Sequence, residues 1–130
     1  MIAVDTSSWI AYLSGGEGPD VDAAALALAH HQVGLPPVVL SELLSAPDLP
    51  ADVKDSLVAL PLLAVTDGYW ERAGLLRARI LSQRRRANLA DTLIAQSCVD
   101  HDVELITRDT DFRHFIGPGG LKLFAPVRKR

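Results

Sequence analysis

The chain has 130 residues, 48% of them hydrophobic and 22% charged, with a formal net charge of -3. This balance suits a globular fold, and the length leads us to expect a single domain over residues 1–130. Near-neutrality excludes capture of a polyanion by bulk charge, so any phosphate partner must be met by local basic patches and by metal.

The first residues, Met1-Ile2-Ala3-Val4, are a short apolar run that ends abruptly at Asp5. That pattern predicts a buried parallel strand with a polar C-terminal edge. Thr6, Ser7 and Ser8 are placed to cap a helix carrying Trp9, Ile10, Tyr12 and Leu13, which Gly15, Gly16, Gly18 and Pro19 break. A second helix opens at Asp20 or Asp22 and runs to about His30. Val33 to Leu35 reads as a strand stopped by Pro36 and Pro37, and Val38 to Ser45 as a helix with Val39, Leu40, Leu43 and Leu44 inward. Pro47 and Pro50 bound a turn before a helix over 52–60. A third strand is expected over 62–65.

The longest helix is predicted from about Gly68 to Arg85. Its Ala73, Leu76 and Ile80 share one face, while Arg72, Arg79 and Arg86 recur every seven residues on another. Asp91 opens a helix with Ile94, Ala95 and Cys98 inward. A fourth strand, Val103 to Thr107, ends at Arg108 and Asp109; a short helix over 111–115, the break Gly117-Pro118-Gly119-Gly120 and a last strand over 121–124 follow. The tail, residues 126–130, is basic and expected to be mobile. Strands alternate with helices, so the expected fold is α/β, a central parallel sheet of about four to five strands with helices on both faces.

Particular acids carry more information than their number. Asp5 and Asp109 stand at the C-terminal ends of two strands far apart in sequence, where ligands collect in open parallel sheets. Asp91 begins the helix leading to the second of these strands. Glu42 is embedded in Val38-Val39-Leu40-Ser41-Glu42-Leu43-Leu44, and such a glutamate is expected to be partly desolvated unless its charge is compensated. Carboxylates in one cleft raise one another's pKa, and a divalent cation relieves that repulsion. Oxygen donors select hard ions, Mg²⁺ or Mn²⁺. His30, His31, His101 and His114 follow no zinc spacing, and the lone Cys98, with no disulfide partner, reads as buried packing in a reducing compartment. Each acid taken singly is equally well a helix cap or a solvated charge.

At these positions the sequence resembles the PIN-domain family, and within it the toxin nucleases of VapBC-type toxin–antitoxin pairs. Val4-Asp5-Thr6-Ser7-Ser8-Trp9-Ile10 is similar to the family's first motif and Ser41-Glu42-Leu43-Leu44 to the second. Asp91-Thr92-Leu93-Ile94-Ala95 is similar to the third, and Thr107-Arg108-Asp109-Thr110-Asp111-Phe112 to the fourth. The resemblance implies a Mg²⁺- or Mn²⁺-dependent endoribonuclease with Asp5, Glu42, Asp91 and Asp109 as catalytic and metal-binding quartet. Thr107 matches a supporting hydroxyl and Asp111 a less regular extra acid. The resemblance also implies a homodimer, and a cognate antitoxin whose tail covers the acidic cleft. The Gly15 to Pro19 stretch and the Arg84-Arg85-Arg86 run are not diagnostic of the family.

Thr6 or Ser7 is a further candidate for a water or phosphate contact, beside its capping role. Arg108, Arg72, Arg79, Arg86 and the basic tail are candidates for the RNA backbone, set against a plain solvated face. Trp9 is expected in the core rather than stacked on a base. An N-terminus without a charged n-region or apolar h-region, and no apolar run near the ~20 residues of a membrane span, lead to the expectation of a cytoplasmic protein. Two aspartate-based phosphotransfer classes fail on their second motifs: Ser7 stands where a dehalogenase-type chain needs Asp, and no receiver-type acidic pair with a downstream Lys is present. A non-catalytic interaction module and a structure-specific DNA nuclease are the remaining alternatives.

Overall fold

A computed structural model describes residues 1–125, and the basic tail 126–130 lies outside the described residues. Two strands pair in parallel, β1 (Ile2–Val4) and β2 (Glu104–Ile106), with Ile2 opposite Glu104 and Val4 opposite Ile106. Around them lie α1 (Thr6–Leu13), α2 (Pro19–Ala29), α3 (Pro37–Leu44) and α4 (Ala51–Val58). Then come α5 (Tyr69–Ser82), α6 (Leu89–Asp100), a 3-10 helix (Thr110–Phe115) and α7 (Ile116–Gly119). The last is a single helical turn where the Gly/Pro sequence suggests a break.

The expected sheet of four to five strands is corrected to two strands flanked by isolated bridges. The other three segments run parallel beside β1 and β2 but pair only at Ile2–Val33, Leu35–Leu62 and Leu105–Leu123. Proline explains two of these truncations. The Gly34 amide donates to the Ile2 carbonyl and the Leu35 amide to that of Pro61. The next rungs would need amides from residues 36 and 37, which are Pro36 and Pro37 and have none.

The same prolines suit the start of α3, where Pro36 is the N-cap and Pro37 the first helical residue. The core is built from Ala3, Val4, Leu35, Leu105 and Ile106 on the strands and bridges, packed by Ile94, Cys98 and Phe112. Its effect is to fix the C-terminal ends of β1 and β2 side by side. The Asp5 amide continues their ladder with a 3.0 Å bond to the Ile106 carbonyl. Among the described residues no helix is long and apolar enough to cross a membrane.

Candidate active site

Asp5 follows β1 directly and is buried, 3% exposed. Its carboxylate, not the following hydroxyls, caps α1, accepting from the Ser8 amide at 3.0 Å. Ser7 Oγ lies 2.9 Å from both carboxylate oxygens, and Thr107 Oγ1 donates to Oδ2 at 2.8 Å. Burial pushes the Asp5 carboxyl up from its ordinary range, and the donors from Ser8, Thr107 and Ser7 offset only part of that push.

Thr107, just past β2, links two of the acids. Its hydroxyl donates to Asp5 and accepts from the Asp109 amide at 3.0 Å. Asp109 in turn caps the 3-10 helix, its Oδ1 accepting from the Asp111 amide at 2.9 Å. Asp111 therefore stands at the start of that helix, beside the site. Thr6 makes the connection to α3: its hydroxyl donates to Glu42 Oε1 at 2.7 Å. The expectation that Glu42 is desolvated is corrected, because the side chain is exposed. Helical periodicity turns Val39 and Leu43 inward and leaves Glu42 at the rim, although its sequence neighbours are apolar.

Asp91 is the third residue of α6, and the cap is Asn88, which sequence reading passed over. Asn88 Oδ1 accepts from the Asp91 amide at 2.7 Å, and Asn88 Nδ2 donates to Asp91 Oδ2 at 2.9 Å. The capping explanation for Asp91 is thereby removed. The signal was available, since Asn followed three residues later by an acid is close to a capping-box pattern.

Asp91 also reports on its surroundings. Burial first, then the charges of Asp109, Asp5 and Glu42, push its carboxyl up to about 6. The charges of the other three acids of the expected quartet thus all reach Asp91. Among the described residues no three acidic, His or Cys side chains are gathered as a ready coordination shell. Each carboxylate is instead held by local donors: Ser7, Ser8 and Thr107 on Asp5, Thr6 on Glu42, Asn88 on Asp91 and the Asp111 amide on Asp109. The donor chemistry, all carboxylate and hydroxyl oxygen, fits a hard divalent ion.

The expected RNA contacts fare unevenly. Arg108 is committed to Asp20, with Nε–Oδ2 at 2.8 Å, and also bonds the Glu17 carbonyl. Asp20, which the sequence offered only as a helix start, accepts from Ser8 as well and so braces the first turn of α1. Burial works to raise the Asp20 carboxyl, but Arg108 and Ser8 outweigh it and hold it below the usual range. Arg72 is likewise committed to Asp100, at 2.6 Å. Arg79 is exposed on α5, whereas Arg86 lies beyond the helix, which stops at Ser82, so the sevenfold arginine stripe ends at Arg79. Trp9 is 2% exposed and packs edge-on to Tyr12, which excludes base stacking by Trp9. A cavity of about 660 Å³ lined by Arg72, Leu75, Arg79 and Gln96 contains none of the four acids. An open cleft rather than an enclosed cavity is what an extended chain substrate requires.

Asp5 and Asp109, just past adjacent ends of a parallel pair and joined through the Thr107 hydroxyl, stand within electrostatic reach of Asp91 on α6, as does Glu42 on α3. The chain belongs to the PIN domain family, whose family model matches residues 2–117. PIN domains are generally nucleases and generally use divalent metal ions. No curated protein matches the chain.

Proposed function

We propose that this protein is a Mg²⁺- or Mn²⁺-dependent endoribonuclease, the toxin of a type II toxin–antitoxin pair, acting in the cytoplasm as a homodimer. The carrying observation is the linkage of Asp5, Glu42 and Asp109 through Thr6 and Thr107, with Asp91 facing the same cleft. Asp5, Asp91 and Asp109 would hold the ion, with Glu42 at the rim. When bound, the ion supplies a water of lowered pKa and neutralises charge on the phosphate.

The chain's own residues keep that centre in shape. Thr107 holds Asp5 and Asp109 at a fixed separation, Asn88 aims the Asp91 carboxylate, and Thr6 restrains the otherwise free Glu42 side chain. Exposure of Glu42 leaves one side of the cleft open to a long substrate. Antitoxin control follows the same logic: a segment laid over this cleft excludes RNA from all four acids together.

Induced expression in growing bacteria tests the proposal. Wild type should arrest growth, while Asp5→Asn, made to the same level, should not. Equal growth with both versions would overturn the toxin reading.

A further inference from the structure

We infer that the loop joining α5 to α6 grips the phosphates of the RNA strand beside the cut, through Arg84, Arg85 and Arg86. This rests on the ribonuclease reading and adds to it a substrate-positioning element. The observation is a contrast among cations. Arg72, Arg77, Arg108, Arg113 and Lys122 each spend their side chain on a hydrogen bond or ion pair within the protein. Among the described residues Lys54, Arg79, Arg84, Arg85 and Arg86 have no such partner, and all five are exposed. Four of these five fall within eight residues of chain, and three are consecutive. In a protein with net charge -3 that is a concentrated, uncompensated positive patch.

The loop is fixed in place. Arg84 sits at φ 59°, a left-handed conformation that costs a non-glycine residue free energy and persists only where its surroundings impose it. Its amide bonds the Leu81 carbonyl at 3.0 Å, and the Arg85 amide bonds that of Ile80 at 3.3 Å. Arg77 Nε donates to the Ala87 carbonyl at 2.7 Å, Ala87 is buried, and His114 Nδ1 donates to the Arg86 carbonyl at 3.0 Å. All these anchors use backbone, so the three guanidinium groups are left to solvent.

Position supplies the target. His114 belongs to the 3-10 helix that Asp109 caps, and the loop runs directly into Asn88, which holds Asp91. Arg86 precedes Asp91 by five residues, so their Cα atoms are at most about 18 Å apart even for extended chain. The cations are therefore tied to two elements of the acidic cleft. A single strand whose scissile phosphate lies among the acids can lay neighbouring phosphates on the loop. Such contacts position the strand and carry no sequence information.

The test is anisotropy of a labelled 20-nucleotide mixed-sequence RNA, titrated with the full chain in EDTA from 0.05 to 0.3 M KCl. Cleavage of cellular RNA with Mn²⁺ is followed in parallel. Three phosphate contacts on a single strand contribute about 2 to the salt slope and about 100-fold in affinity at 0.1 M salt. Arg84→Gln, Arg85→Gln and Arg86→Gln combined should lose both, on RNAs of any sequence, with unchanged melting temperature. The triple Lys replacement should restore them, and Lys54→Gln should change neither. Wild type that binds and cleaves, alongside a triple Gln variant with the same slope, would overturn the loop assignment and leave the nuclease standing. Wild type that neither binds nor cleaves would overturn the ribonuclease reading and the loop assignment with it.

Discussion

Asp91→Asn should stabilise the metal-free protein while abolishing its activity. A carboxyl moved from 3.8 to about 6 by burial and three neighbouring acids costs about 3 kcal/mol to keep ionised in the fold. Asn is nearly isosteric, and its amide oxygen can still accept from Asn88, so the cap survives. Two effects reduce the gain. Asp91 lies in the first turn of α6, where a negative charge is favoured by about 0.3–1 kcal/mol, and partial exposure screens its repulsion.

A net gain of about 1–2 kcal/mol remains, or about 4–8 °C in Tm for a domain of this size. The sign with pH is specific. Because the folded pKa is raised, the stability of the neutral carboxyl is complete below 3.8 and is lost as pH rises through about 6. The two proteins should therefore melt together near pH 3.5 and separate across pH 4–6.5. Thermal melts in EDTA from pH 3.5 to 8 provide the assay. An Asn variant no more stable than wild type at pH 7.5, or a gap independent of pH, would refute the repulsion argument.

Thr107→Val should cost about 1–2 kcal/mol in urea denaturation, since it strips a donor from buried Asp5 and an acceptor from the Asp109 amide; cleavage should fall with it. Asn88→Ala should cost about 1 kcal/mol for the lost cap and move the Asp91 titration upward, readable by carboxyl NMR shifts. A double-mutant cycle on Arg108 and Asp20 should give a favourable coupling at neutral pH. Because the Asp20 pKa is depressed, that coupling should persist above 3.8 and fade as pH drops below it. Cys98, buried and pushed up to about 12 by burial and by the Asp5 charge, should resist thiol reagents until the protein unfolds.

Strong local signals made the centre of the fold legible. Ile2 to Val4 and Glu104 to Ile106 are apolar or β-forming stretches closed by polar residues, and both form strands. The outer segments carry similar apolar residues, yet Pro36 and Pro37 remove the amides that would extend their ladders. Apolar sequence neighbours misplaced Glu42, because they face a different side of a short helix. Asp20 was beyond reach of local reading, since its partner Arg108 is 88 residues away and only folding joins them. Asn88 was overlooked beside the more conspicuous Asp91. Strand ends and motif order offered the four acids as a set, whereas the commitment of Arg72 and Arg108 to internal partners depends on contacts that no spacing reveals.

Cleavage of a mixed cellular RNA pool tests the central claim most directly, comparing wild type with Mg²⁺ or Mn²⁺, wild type with EDTA, and Asp91→Asn with metal. A metal-dependent centre built on the four acids predicts discrete fragments in the first reaction and intact RNA in the other two. Fragments that persist in EDTA or in Asp91→Asn would contradict it, as would intact RNA from folded wild-type protein supplied with either metal.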